Sequence, residues 1–253
     1  MTTATDIAVI GGTGLSQLRD LEVLDRRVVA TPYGEPSAPV LLGQIGTGRA
    51  LFLPRHGAGH TIPPHAINYR ANIWALEKLG AGRIVAVNAV GGIGSDRGPR
   101  TLVVPDQIID YTWGREHTFY DGASGEVEHA DFSEPYSTGV RRLLLEAGRL
   151  ADLELIDGGT YGATQGPRLE TAAEICRLSD DGCDLVGMTG MPEAALAREA
   201  GLEYACLAVV VNFAAGQSAD IHGELAEHLD AGMASVKRLL EHLVLMAQGA
   251  AVD

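Results

Sequence analysis

Runs of apolar residues recur along this chain with two different periods. The first run, Asp6 to Ile10, is short and β-branched, and it ends in Gly11-Gly12-Thr13-Gly14; this predicts a strand followed by a tight turn. The segment PVLLGQIGTGRALFLPRHG predicts two strands around a Gly-rich hairpin turn. In NYRANIWALEKLGA the apolar residues Ile73, Leu76 and Leu79 fall on one helix face, and Gly80 supplies a stop. RIVAVNAVGGI then predicts a buried strand ending in Gly91-Gly92, and TLVVPDQIIDYT a strand pair broken at Pro105. GVRRLLLEAGRLADLEL has the pattern of an amphipathic helix running into the next strand.

The second half continues the alternation. GTYGATQGPRLETAAEICRLSDDG predicts a strand, a Gly-Pro turn and a helix opening near Glu170. CDLVGMTG is a strand, PEAALAREAG a helix with Pro192 in its first turn, and YACLAVVVNFAAG the longest buried strand. A final helix is expected over roughly Leu225 to Ala247. Helices alternating with wholly apolar strands imply a single α/β domain spanning 1–253, with a central mixed β-sheet flanked by helices.

Composition narrows the function. Of the 253 residues 46% are apolar, enough for a sizeable core. A net charge of -14 argues against binding nucleic acid, because a phosphate backbone would be repelled. A few cations and backbone amides can still reverse the field inside one pocket. Cys176, Cys183 and Cys206 match no zinc spacing and fit a reducing compartment. The opening MTTATDIAVIGGTGL has no basic n-region or apolar h-region, and no apolar run of about 18 residues exists. A cytoplasmic protein without a membrane span is the expectation.

Five segments carry candidate chemistry. In VIGGTGL, the glycines let backbone amides approach an anion and Thr13 adds a hydroxyl. A structural turn explains the same glycines. A dinucleotide loop needs a third glycine where Gln17 stands, and no Lys-Ser/Thr pair follows for a phosphate-binding loop of the nucleotide triphosphatases. In LPRHGAGHTIPPH, Arg55 offers a planar fork suited to phosphate and His56 a second donor, with a solvated surface pair as the alternative. His60 and His65 have no carboxylate or cysteine at metal-ligand spacing, so no metal is expected. VNAVGG, Asn88 to Gly92, ends a buried strand either in the manner of a ligand site at the carboxyl edge of an open sheet or as a tight strand-to-loop turn only. In TQGPRLETAAE, Glu170 is a site carboxylate or only a helix N-terminal charge worth ~0.3–1 kcal/mol. Asn212, in VVVNFAAG, must find partners or cost about 1–3 kcal/mol.

In this order, the five segments resemble the trimeric purine nucleoside phosphorylase family, most closely its methylthionucleoside branch. The resemblance covers nearly the whole chain; LPRHGAGHTIPPHAINYRANIWAL, NAVGGI, TQGPRLETAAE and GMTGMPEAALAREAG are its most specific parts. It implies a phosphate site made by Thr13, Arg55, His56, Thr189, Asn88 and the amide of Ala89. It implies a nucleoside site that adds Val90, Gly91, Leu169, Gly187, Met188, Ala214 and Leu225, with His60 near the ribose and Glu170 and Asn212 as the catalytic pair on the base. His129 matches a position that reaches a neighbouring subunit's site, so a homotrimer is implied as well. The only small partners expected are a purine nucleoside and inorganic phosphate, the latter a co-substrate, with no cofactor.

Departures from the family pattern sharpen the substrate. Adenine-preferring members carry Asp-x-Asp where this chain has Asn212 and Ala214. Glu170 with Asn212 fits a 6-oxopurine, whose N1-H a carboxylate can accept; adenine N1 has no proton to give. Leu225 takes the place where users of ordinary nucleosides have a His near the 5'-hydroxyl, which favours a methylthio group. Leu169 stands where many members stack a Phe on the base. The expected reaction is phosphorolysis of a purine 5'-methylthionucleoside, S-methyl-5'-thioinosine before 5'-methylthioadenosine. A general purine nucleoside phosphorylase, a nucleoside hydrolase, and a nucleotide-binding oxidoreductase or ligand-binding module built on GGTG are the rivals.

Overall fold

Alternating side chains on β1 (Ile7–Gly11) show how the layers are assembled: Ala8 and Ile10 face one core, Ile7 and Val9 the other. A strand buried on both faces needs helices on both, and the computed structural model, which describes residues 6–15, 22–122, 125, 127–217 and 225–249, supplies them. On the first face lie α1 (Tyr69–Lys78) and α4 (Glu193–Glu199), with Ile73, Leu76 and Leu196 packed against Leu53, Ile84 and Ala208. On the second lie α2 (Thr138–Leu150) and α5 (Leu225–Gly249), with Leu144, Leu239, Leu240 and Leu243 against Phe52, Val85 and Val209. A smaller cluster under α3 (Ala172–Asp180) joins Ile175 and Leu178 to Val186 and Ala214.

One mixed sheet of eleven strands runs through the described residues. Its central members are β4 (Gly48–Pro54), β1, β5 (Arg83–Gly92) and β11 (Glu203–Phe213), all parallel. Outer strands are β2 (Glu22–Arg27), β3 (Val40–Ile45), β6 (Leu102–Val104), β7 (Gln107–Asp110), β8 (Leu155–Asp157), β9 (Thr160–Ala163) and β10 (Leu185–Gly187). The predicted elements are all present. The strand β2 is an addition: an exposed, charged edge strand with no apolar alternation to announce it. Pro192 caps α4 from outside, leaving Glu193 as its first residue.

The site follows from how β5 is flanked. Strand β11 occupies one edge of β5 from Arg83 to Gly92. The other edge is shared: β1 pairs parallel over Arg83 to Ala86, and β10 pairs antiparallel over Gly91 and Gly92. Between them β5 has no ladder partner on that edge. β1 has turned away at Gly12 and β10 has ended at Gly187, so a crevice opens at the carboxyl ends of the parallel strands, where open α/β sheets place ligands. No helix among the described residues is long and apolar enough to cross a membrane.

Candidate active site

A cavity of about 450 Å³ fills that crevice, a size suited to a nucleoside with an anion. Its walls include Thr13, Arg55, His56, His60, Ala89, Val90, Gly91, Leu169, Glu170, Gly187, Met188, Thr189, Asn212 and Ala214, segments scattered through the sequence and brought to one place. Asn88, His129 and Leu225 are the three expected site residues that are not among the lining. His129 is exposed and away from this cavity. Leu225 opens α5, but its side chain lies outside the described residues. Leu229 of the same helix lines the cavity.

The glycine loop owes its composition to protein neighbours. A Cβ on Gly12 would meet the Val87 carbonyl oxygen at 2.7 Å and Arg55 Nη1 at 2.9 Å. Gly14, with φ +82, would press on Leu229 and Met233 of α5, each at 2.9 Å. The loop is therefore pinned between β5 and the last helix, which leaves the Thr13 hydroxyl at the cavity, 3.5 Å from His60 Nε2.

Arg55 lines the cavity, and three of its five N–H groups are already bound within the protein. The side chain is fully buried, and Nε and Nη2 donate to Glu193 Oε2 and Oε1 at 2.7 and 2.8 Å, while Nη1 donates to the Val87 carbonyl at 3.2 Å. A guanidinium with no exposure needs a counter-charge, and Glu193, also fully buried, provides it in a two-pronged pair. Tyr204 donates a third bond to Glu193 at 2.9 Å. Burial opposes the charge on Arg55, but the facing carboxylate outweighs it and holds the guanidinium charged. Sequence reasoning missed Glu193; as the first residue of a helix it reads as an ordinary N-terminal charge.

Asn88 also takes an indirect role. Its amide donates to Thr189 Oγ1 at 2.8 Å, and its oxygen receives the Cys206 thiol at 3.4 Å. Thr189 Oγ1 is thus an acceptor from Asn88, which leaves the Thr189 hydroxyl proton for another partner, and Asn88 itself does not line the cavity. His56 Nδ1 sits 2.8 Å from the Ile62 carbonyl, so the proton is on Nδ1 and donates there. Burial and the neighbouring Arg55 charge lower the His56 pKa to about 4, which leaves the ring neutral at pH 7 with a lone pair on Nε2.

The opposite end of the cavity is looser. Glu170 lies just outside α3, where Thr171 caps the helix through a reciprocal bond pair with Glu174. That arrangement frees Glu170 from helix duty, and its Oε1 accepts the Thr164 hydroxyl at 2.6 Å. A β-bulge between Val210 and Asn212 re-aims β11 so that Asn212 sits opposite Gly91 at the cavity wall. Its Nδ2 donates one proton to the Phe213 carbonyl at 2.6 Å, which leaves the other N–H and the oxygen for a ligand. No group of three or more His, Cys, Asp or Glu able to hold a metal occurs among the described residues.

One cavity at the split edge of β5 thus brings hydroxyls and a buried cation together with a carboxylate and an amide. The chain matches the family model described as "Phosphorylase superfamily" over residues 6–245, and it belongs to that family. It is 54% identical over 240 residues, 94% of this chain and 96% of the relative, to "Probable S-methyl-5'-thioinosine phosphorylase" of Xanthomonas campestris pv. campestris. It is 45% identical over 241 residues, 92% of this chain and 90% of the relative, to "6-oxopurine nucleoside phosphorylase" of Pyrococcus furiosus. Among solved structures, methylthioadenosine phosphorylase from Schistosoma mansoni in complex with tubercidin superimposes with a TM-score of 0.90 at 34% identity, covering 97% of this chain and 92% of that one.

Proposed function

We propose that this protein is a phosphorylase of purine 5'-methylthionucleosides that prefers a 6-oxopurine, S-methyl-5'-thioinosine above all. The products are free hypoxanthine and 5-methylthioribose 1-phosphate. The observation that carries the reading is the pairing of Glu170 and Asn212 across one cavity whose other end holds Thr13, His56 and Thr189. Its support from relatives is twofold: similar chains carry names for methylthioinosine and for 6-oxopurine nucleoside cleavage.

A phosphate oxygen attacks C1' as the C1'–N9 bond breaks, and the electron pair leaves with the purine. The transition state is oxocarbenium-like, so the phosphate dianion beneath C1' stabilises it. The Thr13 and Thr189 hydroxyls and backbone amides of Ala89 and the glycine loop bind phosphate. Arg55 adds its charge from behind Gly12. The departing purine anion takes up at N7, through solvent, the proton that the attacking hydrogen phosphate gives up. Asn212 Oδ1 accepts a hydrogen bond from that N7–H and its remaining N–H donates to O6, while Glu170 accepts a hydrogen bond from N1–H. Catalysis here is positioning and electrostatics, with no covalent protein intermediate. No cofactor enters the scheme. A homotrimer belongs to the proposal too: Trp113 and Val127 are exposed apolar side chains that a neighbouring subunit would cover.

The test is phosphate-dependent cleavage of S-methyl-5'-thioinosine, 5'-methylthioadenosine and inosine, compared by kcat/KM. Preference for methylthioinosine is expected. Preference for methylthioadenosine would overturn the base assignment and keep the phosphate site. Cleavage that proceeds equally well without phosphate would overturn the phosphorylase.

A further inference from the structure

Arg115 lies outside every segment that the sequence singled out, and it is 9% exposed. No carboxylate faces it among the described residues; five oxygens do. Its Nη1 donates to the carbonyls of Met191 at 2.5 Å and Met188 at 2.9 Å and lies 3.2 Å from the Tyr69 hydroxyl. Its Nη2 donates to the carbonyls of Gln165 at 2.8 Å and Thr164 at 3.3 Å. The guanidinium carbon also sits 5.5 Å from the centre of the Tyr69 ring.

These carbonyls belong to two different turns. Met188 to Met191 encloses Thr189 and follows Gly187, the sugar and phosphate wall. Thr164 and Gln165 lead into Pro167, Leu169 and Glu170, the base wall, and the Thr164 hydroxyl holds Glu170 directly. One rigid, permanently charged fork therefore spans the seam between the two walls. A carboxylate would have neutralised Arg115 more cheaply. With four of its five oxygen partners carbonyls of these two turns, its solvation depends on both turns staying in place, so the turns are locked to each other through the charge.

We propose that Arg115 is a positioning residue, which sets the base-binding turn and the sugar–phosphate turn at the spacing phosphorolysis requires. The proposal rests on the phosphorylase reading above. It gives Arg115 no contact with substrate; its effect passes through Glu170 by way of Thr164, and through Thr189 by way of its neighbours Met188 and Met191.

The experiment is steady-state kinetics on the full-length protein and its Arg115→Gln, Arg115→Lys and Tyr69→Phe variants, with KM taken separately for nucleoside and phosphate. In Arg115→Gln, kcat/KM should fall about 100-fold, the scale of a 1 Å misplacement, with KM raised for both substrates together. Added guanidinium ion should restore part of the loss, and Arg115→Lys should lie between. Tyr69→Phe, which removes only one partner, should shift both KM values in the same direction by a few-fold. A merely structural arginine would lower Tm and leave the folded enzyme's constants alone. A folded Arg115→Gln with both KM values and kcat within about twofold of wild type would therefore overturn the proposal. If that variant does not fold, unchanged constants in both Arg115→Lys and Tyr69→Phe overturn it. A wild type inactive on all three nucleosides overturns the phosphorylase reading and this one with it, whereas an active wild type with indifferent variants overturns only this one.

Discussion

At the end of the cavity proposed for phosphate, Arg55, Asn88, His56 and Thr189 are all buried, and each is held by another side chain or a carbonyl. At the base end, Leu169 is 45% exposed, and Glu170 and Asn212 are each steadied by a single short bond to a neighbour. The first end is finished within one chain. The second is a rim, left open on the side where the proposal places a second subunit. The difference assigns stability to one end and chemistry to the other, and substitutions at the two ends should separate the two properties.

The largest effect is expected at the phosphate end. Glu193→Ala would leave the Arg55 guanidinium charged, buried and unpaired, and it would also strand the Tyr204 hydroxyl. Removing one partner of a buried ion pair costs about 3–5 kcal/mol. The expected outcome is a fall of that size in unfolding free energy, measured by denaturant titration at fixed protein concentration, with loss of phosphate affinity in whatever remains folded. Wild-type stability in this variant would mean that Arg55 finds another counter-charge, and the contrast between the ends would dissolve.

Asn212→Ala should do the reverse. The side chain is half-buried and its one bond is to the adjacent Phe213 carbonyl, so stability should change by at most about 1 kcal/mol. Loss of a preorganised group at the leaving base should cost about 100–1,000-fold in kcat. Stopped-assay rates on methylthioinosine, read beside a thermal melt, check both halves of this statement. Near-normal turnover would remove Asn212 from the mechanism.

How much of this was readable in the sequence follows the same division. That Glu170 and Asn212 line the cavity was legible: one follows a Gly-Pro turn and the other ends an apolar strand, polar residues where the pattern calls for none. The buried scaffold was not. Glu193 is 138 residues from Arg55, and Arg115 is about 50 to 75 residues from the carbonyls it binds. Glu193 reads as an ordinary charge at a helix start and Arg115 stands in no periodic segment, so only the folded chain brings them to their partners. The charged edge strand β2 escaped for a related reason: hydrophobic alternation marks strands with a buried face, and β2 has none. Asn88 was singled out, but its bond to the Thr189 hydroxyl was not readable, because an amide near a strand end reads the same whatever partner it meets.

The smallest effect belongs to the rim. Leu169 lines the base end and leaves nearly half its surface in solvent, so little packing depends on it. Leu169→Phe should leave the melting temperature unchanged within about 1 °C, since surface substitutions away from packed features rarely exceed about 0.5 kcal/mol. A phenyl ring facing the purine should add about 0.5–1.5 kcal/mol of aromatic contact, which corresponds to a nucleoside KM lowered roughly 2- to 10-fold. Because the ring meets substrate and transition state alike, kcat should hold and phosphate KM should not move. An unchanged nucleoside KM would show that Leu169 does not face the base, and the open rim would then be a surface for the neighbouring subunit alone.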